Sequence, residues 1–222
     1  MHPAQRKALG FVRAKALERK AAAVQLLHTV CARSSVSTDA VAAVISNIQE
    51  NARIGVHFHP DRLDGSGRPI ARSLLETGLY QSQFVTHVSN GALAPTAGGP
   101  RAQWEDRLFG DAFTGADLSL RPKYGSLSLL RSPYGPSPRF GSCHLLLKPA
   151  CLRMATFCYG DSHDNPAERG TRDALEDVLA ALFKDSFLNE QALGRCGLRP
   201  PSLFAHLQGD LSAPSEALAG ST

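Results

Sequence analysis

The sequence predicts an α+β fold, with an N-terminal helical hairpin, then a mainly antiparallel sheet carrying short helices, then a C-terminal helix. Three observations predict it. Apolar residues recur at helical spacing up to about residue 50; from Arg53 the period changes to two, in short runs joined by hairpin-length turns; and one strongly helical stretch follows Thr171. With 222 residues the chain has enough surface to bury a core of its own. The pattern divides it into a helical region (1–52), an α+β core domain (53–187) and a C-terminal extension (188–222).

The elements follow in order. Pro3 suits a first helical turn, and Leu9, Val12, Ala16, Ala23, Leu27 and Val30 then keep helical spacing to Arg33, leaving a basic face opposite. Thr38 is an N-cap candidate for a second helix to Gln49, striped by Val41, Val44, Ile45 and Ile48. Ile54, Val56 and Phe58 alternate with Gly55, His57 and His59 until Pro60 stops the strand. The turn Asp61 to Gly67 leads to a short helix from Pro69 that closes at Gly78. A second strand is expected from Leu79 to Ser89, then a loop, then a short helix from Arg101 to Phe109 around Trp104. Three further strands are expected at Ser126 to Leu130, Phe140 to Leu147 and Leu152 to Tyr159. Gly160 opens a loop that ends at Thr171, read as the N-cap of a helix with Leu175, Val178, Leu179, Leu182 and Phe183 inward. Beyond Asn189 the periodicity fails, and Leu211 to Thr222 is small and polar enough to be disordered.

Composition excludes collagen-like, wholly disordered and coiled-coil classes, since 43% of residues are apolar and 20% charged. The net charge of +4 is uneven: residues 1–33 hold seven Lys or Arg against Glu18 alone, and the remainder is close to neutral. That basic helix is compatible with nucleic acid, anionic lipid or an organelle-targeting role, or with a solvated face; nucleic acid is not the expected main partner. No apolar run is long enough to span a membrane, and no apolar secretory core occupies the first 30 residues. Five cysteines, an odd number with no C-x-x-C, fit reduced thiols and a cytoplasmic location, with Cys143 or Cys158 as a remote nucleophile candidate.

The densest constellation is His57-Phe58-His59-Pro60-Asp61-Arg62. Alternation puts both imidazoles on one face, which suits a divalent metal completed by Asp161 and His163. It equally suits a nucleotide, with His donating hydrogen bonds and Arg62 binding an anion. The plain alternative is one core His and a salt-bridged turn. Tyr80-Gln81-Ser82-Gln83-Phe84 through Ser89-Asn90 is dense in uncharged hydrogen-bonding groups, as a polar cleft or a solvated edge requires. Arg121-Pro122-Lys123-Tyr124-Gly125 offers two cations and an aromatic face that could clamp phosphate and stack a ring, or form an ordinary basic turn. Ser142, and Asp161-Ser162-His163, lie at strand ends that supply site residues, although three sequence neighbours make a poor nucleophilic triad. There is no P-loop and no G-x-G-x-x-G.

On these residues the chain resembles the family known as "domain of unknown function 3626". The resemblance is carried by Val56 to Arg62, Gly78 to Phe84, Ser89-Asn90-Gly91, Trp104-Glu105, Arg121 to Gly125, Pro138 to Cys143 and Gly160-Asp161-Ser162. The family name carries no reaction. Where similar proteins tend to read Ser-Gln-Phe-Glu-Thr, this chain has Val85 in place of the Glu. A shorter resemblance, from the His-bearing strand through Leu74 to Gly78 and the polar strand, is to ADP-ribosyltransferase folds. It implies an NAD-type transferase in which His57 or His59 holds the nicotinamide ribose, Tyr124 stacks the ring, Arg62 or Arg121 binds the diphosphate, and Glu105 or Asp161 orients the acceptor. Gln83, Ser89, Asn90, Lys123, Ser142 and Ser162 complete the expected binding set. The substrate is then a small nucleotide or a protein, the cofactor NAD or alternatively a divalent metal. The rivals are a metal-dependent phosphoester hydrolase and a non-catalytic interaction module.

Overall fold

Proline and a reciprocal cap start the first helix. His2 Nδ1 accepts the Ala4 N–H at 3.3 Å while Gln5 Oε1 accepts the His2 N–H at 3.1 Å, and α1 then runs unbroken from Pro3 to Arg33. These belong to a computed structural model that describes residues 1–88, 96 and 98–212. A helix of that length spans roughly 46 Å, so it serves two cores. Ala8 and Val12 pack with Trp104, Leu108, Phe109 and Phe113, whereas Ala23, Leu27, Val30 and Cys31 enter the larger core.

Helix α2 (Asp39–Asn51) buries Val41, Val44 and Ile48. The Thr38 side chain makes no capping bond; the Ser37 hydroxyl accepts the Asp39 N–H at 3.2 Å instead. The two helices share a core, yet their main neighbours differ: α1 lies along α6 (Glu176–Asn189), and α2 along α7 (Pro200–Gln208).

Strand β1 (Ile54–Phe58) is the centre of a three-stranded antiparallel sheet ordered β2–β1–β3, where β2 is Ser126–Leu127 and β3 is Cys143–Leu146. Gly55 faces Ser126 and Leu146, and His57 faces His144. A second antiparallel pair joins β4 (Thr156–Cys158) to β5 (Arg169–Thr171). The α+β class and the antiparallel pairing hold, with helices doing most of the burying.

The expected strand from Leu79 to Ser89 does not form. Helix α3 (Ile70–Thr77) ends at Gly78 in the left-handed conformation, and an extended stretch leads into the single turn α4 (Gln83–Thr86), whose Val85 and Thr86 N–H groups bond to Ser82 O. The physical reason is local: the N–H groups of Val85, Thr86 and His87 bond to carbonyls three and four residues back, which leaves that turn no donors for a ladder. The three late strands are shorter than expected; Leu152 is buried from a 3-10 stretch, Pro149–Met154, ahead of β4. Thr171 ends β5 and gives its hydroxyl to Asp173 rather than capping α6.

The extension also differs from expectation. After α6 come a hairpin of β6 (Gln191–Ala192) and β7 (Arg195–Cys196), then α7, and Leu203, Phe204, Leu207 and Leu211 are almost wholly buried. Phe204 stacks on Phe183 at 3.9 Å. Elements this short carry too few periods to be read from spacing, so their role appears only in packing. The tail from residue 213, where disorder is expected, lies outside the described residues. Among the described residues no helix is long and apolar enough to cross a membrane.

Packing also assigns the basic face of α1. Arg13 meets Asp173 at 2.6 Å, Arg19 meets Asp177 at 2.9 Å and Glu168 at 3.3 Å, and Lys20 meets Glu176 at 2.6 Å. Glu176 and Asp177 also suit the first turn of α6, where the helix dipole favours anions.

Candidate functional site

His57 sits on the middle strand and is 5% exposed. Its Nε2 accepts the Ser137 N–H at 3.1 Å; a backbone N–H can only donate, so the ring hydrogen lies on Nδ1 and is given to Gly141 O at 2.9 Å. His144 stacks on it at 5.2 Å. Gly135 and Gly141 make room for this clamp. Both have positive φ, and a Cβ on Gly135 would lie 2.4 Å from His57 Nε2, one on Gly141 2.3 Å from the Phe58 backbone. With both nitrogens engaged, His57 ties β1 to the 135–141 loop and has no free atom for a ribose or a metal.

His59 is different. Beyond the last residue of β1 it lines a small cleft of about 40 Å³ together with Phe58, Ile70 and Leu74 of α3, and Leu79, Tyr80, Gln81, Gln83 and Thr86 of the following segment. The walls are apolar, the polar groups uncharged. Tyr80 donates its hydroxyl to His57 O at 3.3 Å, and burial pushes that phenol up. Gln83 Oε1 is buried and has no hydrogen-bond partner. Arg62 belongs to the turn after β1, its carbonyl accepting the Ile70 N–H at 2.8 Å, and does not itself line the cleft. Ser89 and Asn90 lie outside the described residues.

Glu105, Arg121 and Tyr124 form a separate buried network beneath this segment. Glu105 is 0% exposed; its Oε2 accepts from Arg121 Nη1 at 2.9 Å and its Oε1 from Tyr124 Oη at 2.8 Å. Burial pushes the Glu105 carboxyl up, and the bonds from Arg121 and Tyr124 oppose it. Burial, and then Glu105, push the Tyr124 hydroxyl well up. Arg101, also buried, lies 5.1 Å from both the Trp104 and Tyr124 rings, and Arg121 lies 4.8 Å from the Phe84 ring. Trp104 and Tyr124 stack at 5.1 Å. The Tyr124 face expected to stack a ligand ring is thus covered by protein, and Glu105 has no free oxygen for an acceptor. Lys123 is exposed and bonds Ser119 O at 2.9 Å.

The remaining candidates are at the surface. Asp161 pairs with Arg139 at 2.9 Å and caps a 3-10 turn through the His163 N–H. Ser162 O accepts from Trp104 Nε1 at 2.5 Å, with His163 on the outer edge of that ring, and Ser142 is exposed. Of the expected catalytic and binding residues, among the described residues His59 and Gln83 line the cleft, joined by Tyr80 and Gln81 of the polar stretch. Among the described residues no three His, Cys, Asp or Glu side chains are grouped so as to hold a metal, and the expected set of His57, His59, Asp161 and His163 is not brought together. The thiol of Cys158 is pushed up to about 11 by burial, away from nucleophile chemistry, and Cys143 is half-buried in β3.

Sequence reading did not single out Arg101, although Arg101, Trp104 and Glu105 at helical i, i+3, i+4 spacing were a usable signal. Nor did it find the apolar walls Ile70, Leu74 and Leu79, which only the fold brings opposite β1. Val85 is half-buried and points to no cleft contact. A family model described as "Protein of unknown function (DUF3626)" matches residues 53–218, which include the sheet, the cleft and the buried network. No curated protein matches the chain.

Proposed function

Because this chain belongs to the DUF3626 family of proteins of unknown function, whose description assigns no reaction, we propose from the cleft itself that it recognises an NAD-type nucleotide through the nicotinamide ring. The observation that carries this is the lining: apolar walls from Phe58, Ile70, Leu74 and Leu79 for the two faces of a ring, with His59, Tyr80, Gln81, Gln83 and Thr86 for its polar edge and ribose. No charged side chain lines the cleft among the described residues, so it offers the diphosphate no counter-charge.

His59 takes the ribose contact that sequence expectation shared between two histidines, since His57 is occupied on both nitrogens. Transfer chemistry would break the bond between nicotinamide and ribose and needs a carboxylate to orient the acceptor. Glu105 is enclosed by Arg121 and Tyr124, and Val85 stands where the family resemblance implies a Glu. The cleft therefore supports binding and orientation, and the reading is an NAD-binding domain rather than an active transferase. NAD at millimolar concentration is expected to raise the melting temperature, with affinity reduced at least about tenfold in His59→Ala and no nicotinamide released. Absence of any thermal or calorimetric response to NAD overturns the reading; steady nicotinamide release would restore the transferase.

A further inference from the structure

Strand β3 is an outer strand of its sheet, so one of its edges faces away from β1. The register decides which backbone groups lie on that edge. Val56 faces Leu145, His57 faces His144, and the Leu147 N–H donates to Ile54 O at 2.8 Å. Bonded and non-bonded pairs alternate along an antiparallel ladder, so Leu147, Leu145 and Cys143 bond to β1, and the N–H and C=O groups of His144 and Leu146 point outward. The opposite side of β1 obeys the same rule, since the His57 carbonyl turns away from β3 and accepts from Tyr80. No described residue bonds the outward groups of His144 or Leu146. The edge is also uncovered: Leu145 is 40% and Leu146 41% exposed, and residues 141–147 include no Asp, Glu, Lys or Arg. A strand edge that is open, apolar and free of such charges is a template for a further strand.

We propose that the occupant of this edge is a second copy of the chain, whose β3 pairs antiparallel with the first about a two-fold axis at Leu145 and joins the two sheets into one. The edge is its own complement. With Leu145 opposite the partner's Leu145, His144 falls opposite the partner's Leu146, so the outward N–H of each meets the outward C=O of the other and the partial charges match. The two Leu145 side chains meet as a non-bonded pair, with Cβ atoms about 4.5–5.5 Å apart. Lys148 falls opposite the partner's Ser142 rather than a like charge. The ladder ends there, because the Lys148 carbonyl is taken by the Cys151 N–H at 2.9 Å and Pro149 has no N–H to give. An isologous contact of this length belongs to the small, transient class and forms at high protein concentration. It does not depend on the nucleotide reading.

Sedimentation equilibrium of the full chain is expected to show monomer and dimer in exchange. Amide exchange by NMR is expected to show protection of His144 and Leu146 that rises with protein concentration, whereas Cys143 and Leu145, bonded to β1, are protected throughout. Leu145→Lys sets two cations against each other, and Leu145→Glu two anions, and each is expected to weaken dimerisation at least about tenfold. Mixing the two variants restores it, since Lys then faces Glu. A wild-type chain that stays monomeric at near-millimolar concentration overturns the proposal, as does a dimer whose His144 and Leu146 amides remain unprotected; both are read without a variant. A dimer that Leu145→Lys leaves unchanged, or a mixture that stays monomeric, overturns the two-fold at Leu145.

Discussion

His57 is conspicuous as a residue in the sequence and closed as a residue in the fold. Alternation along β1 puts it on the face opposite Val56, yet both are buried, and only its partners, Ser137 N and Gly141 O, decide that it is a clamp. Glu105 repeats the lesson with a charge. Two arginines lie beside it, Arg121 at 2.9 Å and Arg101 at 3.9 Å, in a setting without solvent. Removing the carboxylate takes the close charged partner from buried Arg121, which costs about 3–5 kcal/mol. Glu105→Ala is therefore expected to lower stability by that order in urea denaturation, and Glu105→Gln by less, since an amide oxygen still accepts from Tyr124. Unchanged stability in Glu105→Ala would mean that the residue serves something other than the fold.

At the scale of elements, the cleft depends on pieces with little structure of their own. The turn between β1 and α3 is organised by Asp64, whose carboxylate accepts from the Ser66 hydroxyl at 2.6 Å, the Ser66 N–H at 2.9 Å and the Arg68 N–H at 3.1 Å. The turn is tied to α4 because the Gly65 N–H donates to Thr86 O at 3.0 Å, and Thr86 lines the cleft. The Ser66 hydroxyl, then the Arg68 N–H, hold the Asp64 carboxyl down to about 2, against an ordinary 3.8. A depressed carboxyl stabilises the fold fully above its ordinary value, and the contribution is lost as pH falls from about 4 through about 2. Protection of the Gly65 and Arg68 amides, measured against their intrinsic exchange rates at each pH, should fall across that window. In Asp64→Asn it should be low already at neutral pH; protection that persists at low pH in the wild type would show that the carboxylate does not hold the turn. The same scale explains why the polar segment after Gly78 is not a strand: alternation describes side chains, whereas a ladder also needs free backbone donors, and those of Val85, Thr86 and His87 are spent within the turn.

For the whole molecule, charge is the property whose meaning changed most. The excess of cations in α1 reads in isolation as an anion-binding face, yet Arg13, Arg19 and Lys20 meet acids contributed by Glu168, Asp173, Glu176 and Asp177. Exposed pairs of this kind add little stability, typically under about 1 kcal/mol each, but they cancel the local field. The chain is accordingly expected to leave a heparin column at low ionic strength, while Asp173→Asn combined with Glu176→Gln shifts elution to higher salt. Strong retention of the wild type would return α1 to the role of a polyanion-binding helix.

What the sequence determined by itself was whatever repeats along the chain: the extents of α1 and α3, the strand carrying His57, the helix around Trp104, the α+β class and the family resemblance over the core. Each is a local pattern read against a local steric or periodic rule. What only the tertiary structure decided was proximity. It closed His57 and Glu105 into the core, left His59 and Gln83 at a cleft, drew α7 into the main core, and set acids against the basic face. Hydrogen-bond satisfaction and ion pairing join residues far apart in the chain, and no periodicity along the sequence records which partner will be there.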